Sequence, residues 1–261
     1  MPPLCFLLYN LLTLSDDIKP FEAVNGYLKP ILDNLSCFSL ELLIYLGEAS
    51  NHRALLPPQQ LILEYLQSDI PASIPPLALL QLSQLMQNYL RFSENSSLYM
   101  AFTHWISARL RAPTTPVPMR IDLLRLLTTL LNTNDQDYIQ NVAGFEVWLE
   151  VTTLARFGHE EEKHASLECL SVLVRVLPPR ELETFVESHL ILEVLIYGLD
   201  MGLADELKYK MLLGLGVVLE LLPKLRKIAR GLGLLRVVGR LGGGGNVKLT
   251  TVALDIRKLY E

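Results

Sequence analysis

The sequence predicts an all-α chain built by stacking similar helical units, and three observations carry that prediction. Leu149-Glu150-Val151, Leu192-Glu193-Val194 and Leu235-Arg236-Val237 begin at 149, 192 and 235, so one local pattern returns twice at a step of 43 residues. Leucine outweighs Val and Ile, and unbranched side chains keep their rotamer freedom in a helix where β-branched ones lose it. Gly and Pro fall between the periodic segments, where stacked helices must turn. A unit of this length cannot bury its apolar face alone, so it packs on its neighbours and leaves an elongated surface suited to holding another macromolecule.

The opening Met1-Pro2-Pro3-Leu4-Cys5-Phe6-Leu7-Leu8-Tyr9 reads as a first buried helix. Apolar periodicity predicts further helices over 38–49, 58–67, 77–92 and 98–111, with Leu79, Leu80, Leu82, Leu85 and Met86 at helical spacing. Pro57, Pro71, Pro75 and Pro76 lie between these segments as terminators or first-turn residues. Three prolines between Pro113 and Pro118 cannot propagate a helix, so 112–118 is a linker or a long inter-repeat loop. A leucine-rich helix over 119–131 follows and ends at Asn132-Thr133-Asn134-Asp135. From there a two-helix unit is expected to recur: 142–157, a break at Gly158 and 164–177, then 185–199, a break at Asp200-Met201-Gly202 and 204–222. A last, shorter copy takes 228–241, Gly242-Gly243-Gly244-Gly245 and 246–260. The one β-branched run of note, Val172-Leu173-Val174-Arg175-Val176, sits inside a longer helical-period segment, and its length favours helix over strand.

Gly231-Leu232-Gly233-Leu234-Leu235-Arg236-Val237, followed by the amphipathic Val252-Ala253-Leu254-Asp255-Ile256-Arg257-Lys258-Leu259-Tyr260, resembles an armadillo-type repeat, and HEAT-like packing gives similar spacing. The resemblance covers about residues 119–261. It implies a right-handed α-solenoid of stacked armadillo/HEAT-like repeats running over 1–261 as one domain, irregular over 1–118 and clearer over 119–261. The ragged first repeats also fit one portion of a longer array. Importin-alpha, an armadillo family, binds basic peptides through Trp and Asn four residues apart; here Trp105 and Trp148 are followed four residues later by Arg109 and Thr152, so that activity is not carried over.

Composition narrows the function. With 50% hydrophobic and 20% charged residues the chain is no disordered tail. Cys5, Cys37 and Cys169 form no CxxC pair and no even framework, which points to a reducing interior, cytoplasmic or nuclear. The first residues lack a basic n-region, and the apolar stretch near Met211 is cut by Glu220 and Pro223, so neither a leader nor a membrane span is expected. The Asn34-Leu35-Ser36 and Asn95-Ser96-Ser97 sequons are then expected to stay unmodified.

Catalytic and metal motifs fail on spacing. His159 and His164 are five residues apart, whereas a zinc helix needs four to aim both rings the same way; the intervening carboxylates read as a helix start. Gly242–Gly245 lacks the Gly-Lys-Ser/Thr of a phosphate loop. No catalytic residue, cofactor or metal is therefore expected, and the chain is read as a non-enzymatic scaffold or adaptor in a larger assembly. Charge supplies the candidate surfaces. Residues 1–206 hold 12 Lys and Arg against 25 Asp and Glu, and residues 207–261 hold 11 against 3. Lys224, Arg226, Lys227, Arg230, Arg236 and Arg240 form a run without an acidic residue among them, suited to an acidic protein segment or, as the alternative function, to nucleic-acid phosphates. Glu160, Glu161 and Glu162, with Glu181, Glu183 and Glu187, form the opposite candidate, suited to a basic segment.

Overall fold

The computed structural model describes residues 96–261, Asn134 excepted; the helices expected over 1–9, 38–49, 58–67 and 77–92 lie outside these residues. The chain divides into two compact units, Met1–Ala101 and Phe102–Glu261, and the architecture below is that of the second. Its helices are α1 (Ser96–Arg111, from Phe102 onward), α2 (Val117–Leu131), α3 (Gln136–Val142), α4 (Val147–Phe157), α5 (Glu160–Val176), α6 (Pro179–Ser188), α7 (Ile191–Asp200), α8 (Asp205–Leu221), a 3-10 turn (Pro223–Leu225), α9 (Arg226–Gly231), α10 (Leu234–Gly242) and α11 (Val247–Lys258). The described residues contain no strand, so the all-α expectation holds for them, and none of their helices is long and apolar enough to cross a membrane.

The helix starts follow local chemistry. Pro118 and Pro179 occupy first turns, where a missing N–H costs nothing. The Asp135 carboxylate accepts from the Tyr138 amide at 2.8 Å, and the Asn246 side-chain oxygen from the Leu249 amide at 3.3 Å, satisfying donors that a helix end leaves open. At α5 the Glu162 carboxylate reaches back to the His159 amide at 2.7 Å, which is why this helix begins ahead of the expected residue 164.

The repeated unit has three helices rather than the expected two. The segment 142–157 divides into the end of α3 and α4 around Ala143-Gly144-Phe145-Glu146, 185–199 divides into α6 and α7 at His189-Leu190, and 228–241 divides into α9 and α10 at Leu232-Gly233. Two of these corners turn on a left-handed residue, Leu190 at φ 54° and Gly233 at φ 87°, the second of which glycine adopts without steric cost. Leu190 and Leu232 are apolar, so apolar character runs through the corner and conceals it from a periodicity reading. In the first unit the corner is tied by the Trp148 indole, which donates to the Val142 carbonyl at 2.6 Å.

Packing repeats with the helices. α4 lies against α5, α7 against α8 and α10 against α11; α2, α5, α8 and α11 each pack on the next in that order, and so do α4, α7 and α10. Leu167, Leu170, Leu173 and Val174 of α5 and Leu212, Leu215, Val218 and Leu219 of α8 are buried at the centre. The two helices approach closely at Gly214, where a Cβ would stand 2.8 Å from Val174 Cγ2 and 3.3 Å from the Ser171 carbonyl oxygen. Trp148 and Phe185 meet edge to face at 5.8 Å between ring centres, joining α4 to α6.

Candidate functional site

The six basic candidates divide into two groups. Lys224 donates to the Glu183 carboxylate and to Glu187 at 2.7 Å, and these carboxylates raise its pKa above the usual lysine value. A cation of one expected docking surface thus pairs with two carboxylates of the other. Arg240 pairs with Asp200 at 2.6 Å and Arg236 with the same carboxylate at 3.6 Å. Arg226 is half-buried and donates to the Leu219 carbonyl at 3.0 Å and the Leu259 carbonyl at 3.1 Å, closing off the ends of α8 and α11. Lys227 and Arg230 are exposed on α9 and form no ion pair within the described residues.

The acidic candidates are spread as well. Glu162 is buried and ion-paired to Arg120 of α2, whose guanidinium also donates to the Thr115 carbonyl at 3.0 Å. Glu160 and Glu161 are exposed in the first turn of α5, where the helix dipole favours them. Among the described residues no three His, Cys, Asp or Glu side chains gather as a metal site, and Trp105 and Trp148 are both buried in the core.

These contacts share a register. Arg120–Glu162 and Lys210–Glu168 span 42 residues, Lys224–Glu183 and Asn246–Asp205 span 41, and Arg240–Asp200 spans 40. Each joins one helix triplet to the next, to α2 or, through Lys224, to the turn that leads into α9, so many of the charges that look like a docking surface in the sequence serve to join neighbours.

Two clefts stand out among the described residues. One, of about 900 Å³, lies between the α3–α4 corner and α6 and is lined by Phe145, Leu149, Glu150, Arg180, Glu181 and His189 among others. The second, of about 490 Å³, crosses α4, α7 and the start of α10, with Phe157, Tyr197 and Leu232 as its apolar walls and Arg156, Glu193, Asp200 and Arg236 as its polar ones. Sequence reasoning passed over Phe157 and Tyr197, yet helical phase marks both. The buried residues of α4 include Val147, Val151 and Ala155, and 157 falls off that stripe; on α7, Tyr197 shares a face with Glu193 and Asp200 while its neighbours Ile196 and Gly198 are buried.

The sequence matches no family model and no curated protein.

Proposed function

We propose that the chain is a helical-repeat scaffold of the armadillo type, a right-handed α-solenoid that works inside the cell by holding another protein. The observation that carries this reading is the thrice-repeated helix triplet, α3–α4–α5, α6–α7–α8 and α9–α10–α11, each packed on the next in register. Repeats of 40 to 47 residues with two or three helices are the HEAT and armadillo forms, and the triplet favours the armadillo one. Such an array spends its apolar faces on stacking and leaves its helix edges to partners.

Protein is the better-supported partner than nucleic acid because of the charge balance. Neutralising six phosphates would give a slope of about −5 in log affinity against log salt on duplex DNA, whereas two cations without an internal pair give about −2. Of the candidates only Lys227 and Arg230 stand without any internal partner among the described residues; Arg226 is held by two backbone carbonyls, Lys224 and Arg240 by close carboxylates, and Arg236 by one long, exposed ion pair.

The test is co-purification of the tagged full chain from cells with and without nuclease, followed by a salt series. A saturable protein partner that survives nuclease is the expected result. A complex that nuclease dissolves, with no protein retained at stoichiometric level, would overturn the reading.

A further inference from the structure

The cleft across α4, α7 and α10 collects both aromatic side chains that stand among the exposed large hydrophobics of the described residues: Phe157 is 78% exposed and Tyr197 59%, with Leu232 at 37% as the third wall. Leaving that much aromatic surface in water forgoes a large burial gain, and aromatic residues and arginine dominate the few positions that carry most binding energy at interfaces. The polar walls are unequal. Glu193 is engaged by Arg156 at 3.1 Å and Asp200 by Arg240 at 2.6 Å, so both carboxylates are neutralised. Arg236 reaches Asp200 only at 3.6 Å and its side chain is 82% exposed. Arg240 reaches Asp200 from outside the cleft's lining, so with Arg156 on Glu193 the two carboxylates of the cleft are matched and Arg236 is the surplus charge. An ion pair as exposed as this one contributes little, so the guanidinium is free to turn to a better acceptor.

We propose that this cleft binds a short acidic protein segment, one that seats aromatic or aliphatic anchors against Phe157, Tyr197 and Leu232 and places an Asp or Glu on Arg236. The carboxylate would accept two parallel N–H bonds from the planar guanidinium, a geometry that lysine cannot reproduce. A nucleic acid could stack on the same rings, but its run of phosphates needs a row of cations, and Arg236 is the one guanidinium of the cleft without a close carboxylate. The inference rests on the scaffold reading and adds the partner's chemistry to it.

The test is selection of a displayed random-peptide library on the full chain, with the enriched sequence then synthesised and titrated by fluorescence anisotropy. The expected consensus pairs two apolar anchors with Asp or Glu. Tyr197→Ala, Phe157→Ala and Arg236→Glu should each weaken the peptide about tenfold or more; replacing the peptide's acidic residue with Lys should recover part of the loss in Arg236→Glu. Leu149→Asp, in the other cleft, should leave affinity unchanged. A basic consensus, or an acidic one indifferent to the three cleft variants, overturns the inference, as does a labelled oligothymidine that binds and is weakened by Phe157→Ala. Peptides that respond to Leu149→Asp instead, or no enriched sequence at all, remove this site, while the scaffold reading stands or falls with co-purification.

Discussion

Helices α5 and α7 are neighbours in the stack, yet they answer different demands. α5 touches α2, α4, α7 and α8, and it buries even Glu162, Ser166 and Ser171 among its leucines and valines. α7 also contacts helices of its own and adjoining units, but it keeps one stripe, Glu193, Tyr197 and Asp200, at the surface, where the two carboxylates meet α4 and α10 only through exposed ion pairs. The difference teaches that one repeat period can carry two tasks. Residues in the path from α2 through α5 and α8 to α11 set stability, while those on the free stripe of α7 and the adjoining edges of α4 and α10 can vary without unfolding the chain. Substitutions should separate the two.

The largest effect is expected at the end of the buried path. Ile256 of α11 is 2% exposed and lies near Gly216 of α8, so Ile256→Asp buries an unpaired charge and should cost about 4 kcal/mol or more in urea titration, with aggregation. Unchanged melting would show that α11 is not docked. Next in size is Glu162→Leu, which leaves the Arg120 guanidinium facing an apolar side chain. Loss of one partner of a buried pair costs about 3 kcal/mol or somewhat more, and adding Arg120→Met should restore part of it; a cycle with no coupling would remove the pair from the account.

Cys169 reports on the same core. Burial pushes its thiol from 9.0 up to about 12, opposed by a hydrogen bond with Thr128. The folded state therefore holds this proton more tightly than the unfolded chain does, so the contribution is complete below about pH 9 and is lost as pH rises through about 12. Labelling by N-ethylmaleimide at pH 8, read on the Cys169 peptide, should follow global unfolding in urea; rapid labelling of the native chain would mean that the α2–α5 contact opens on its own.

The smallest effects are expected on the exposed side. Lys224→Ala removes two exposed ion pairs and should leave the urea midpoint essentially unchanged, and Tyr197→Ala should stay within about 0.5 kcal/mol. A Tyr197→Ala chain destabilised as much as the core variants would erase the distinction between α5 and α7.

How much of this was legible in the letters depends on the physical signal. The all-α class, the 43-residue step, the helix ends at Leu131 and Phe157 and, to within one residue, the end expected at Leu222 follow from leucine periodicity and from the polar, Gly or Pro residues that come next, which are local. The corners at Leu190 and Leu232-Gly233 did not show, because each continues the apolar pattern while the backbone turns. The basic cluster was visible as composition but not as contacts: Lys224 meets Glu183, and Arg240 meets Asp200, across separations of 41 and 40 residues that only folding brings together. For Tyr197 the sequence does hold a signal, its phase with Glu193 and Asp200, but run-length and composition average it away.

The central claim is that successive triplets stack in one register, and zero-length carbodiimide coupling with mass spectrometry tests it most directly, since it joins lysines only to carboxylates already in contact. The account predicts links from Lys210 to Glu168 and from Lys224 to Glu183 or Glu187, one repeat away in sequence. Lysines 210 and 224 coupled instead only to carboxylates close in sequence, such as Glu206 or Glu220, with the long-range links absent, would contradict it.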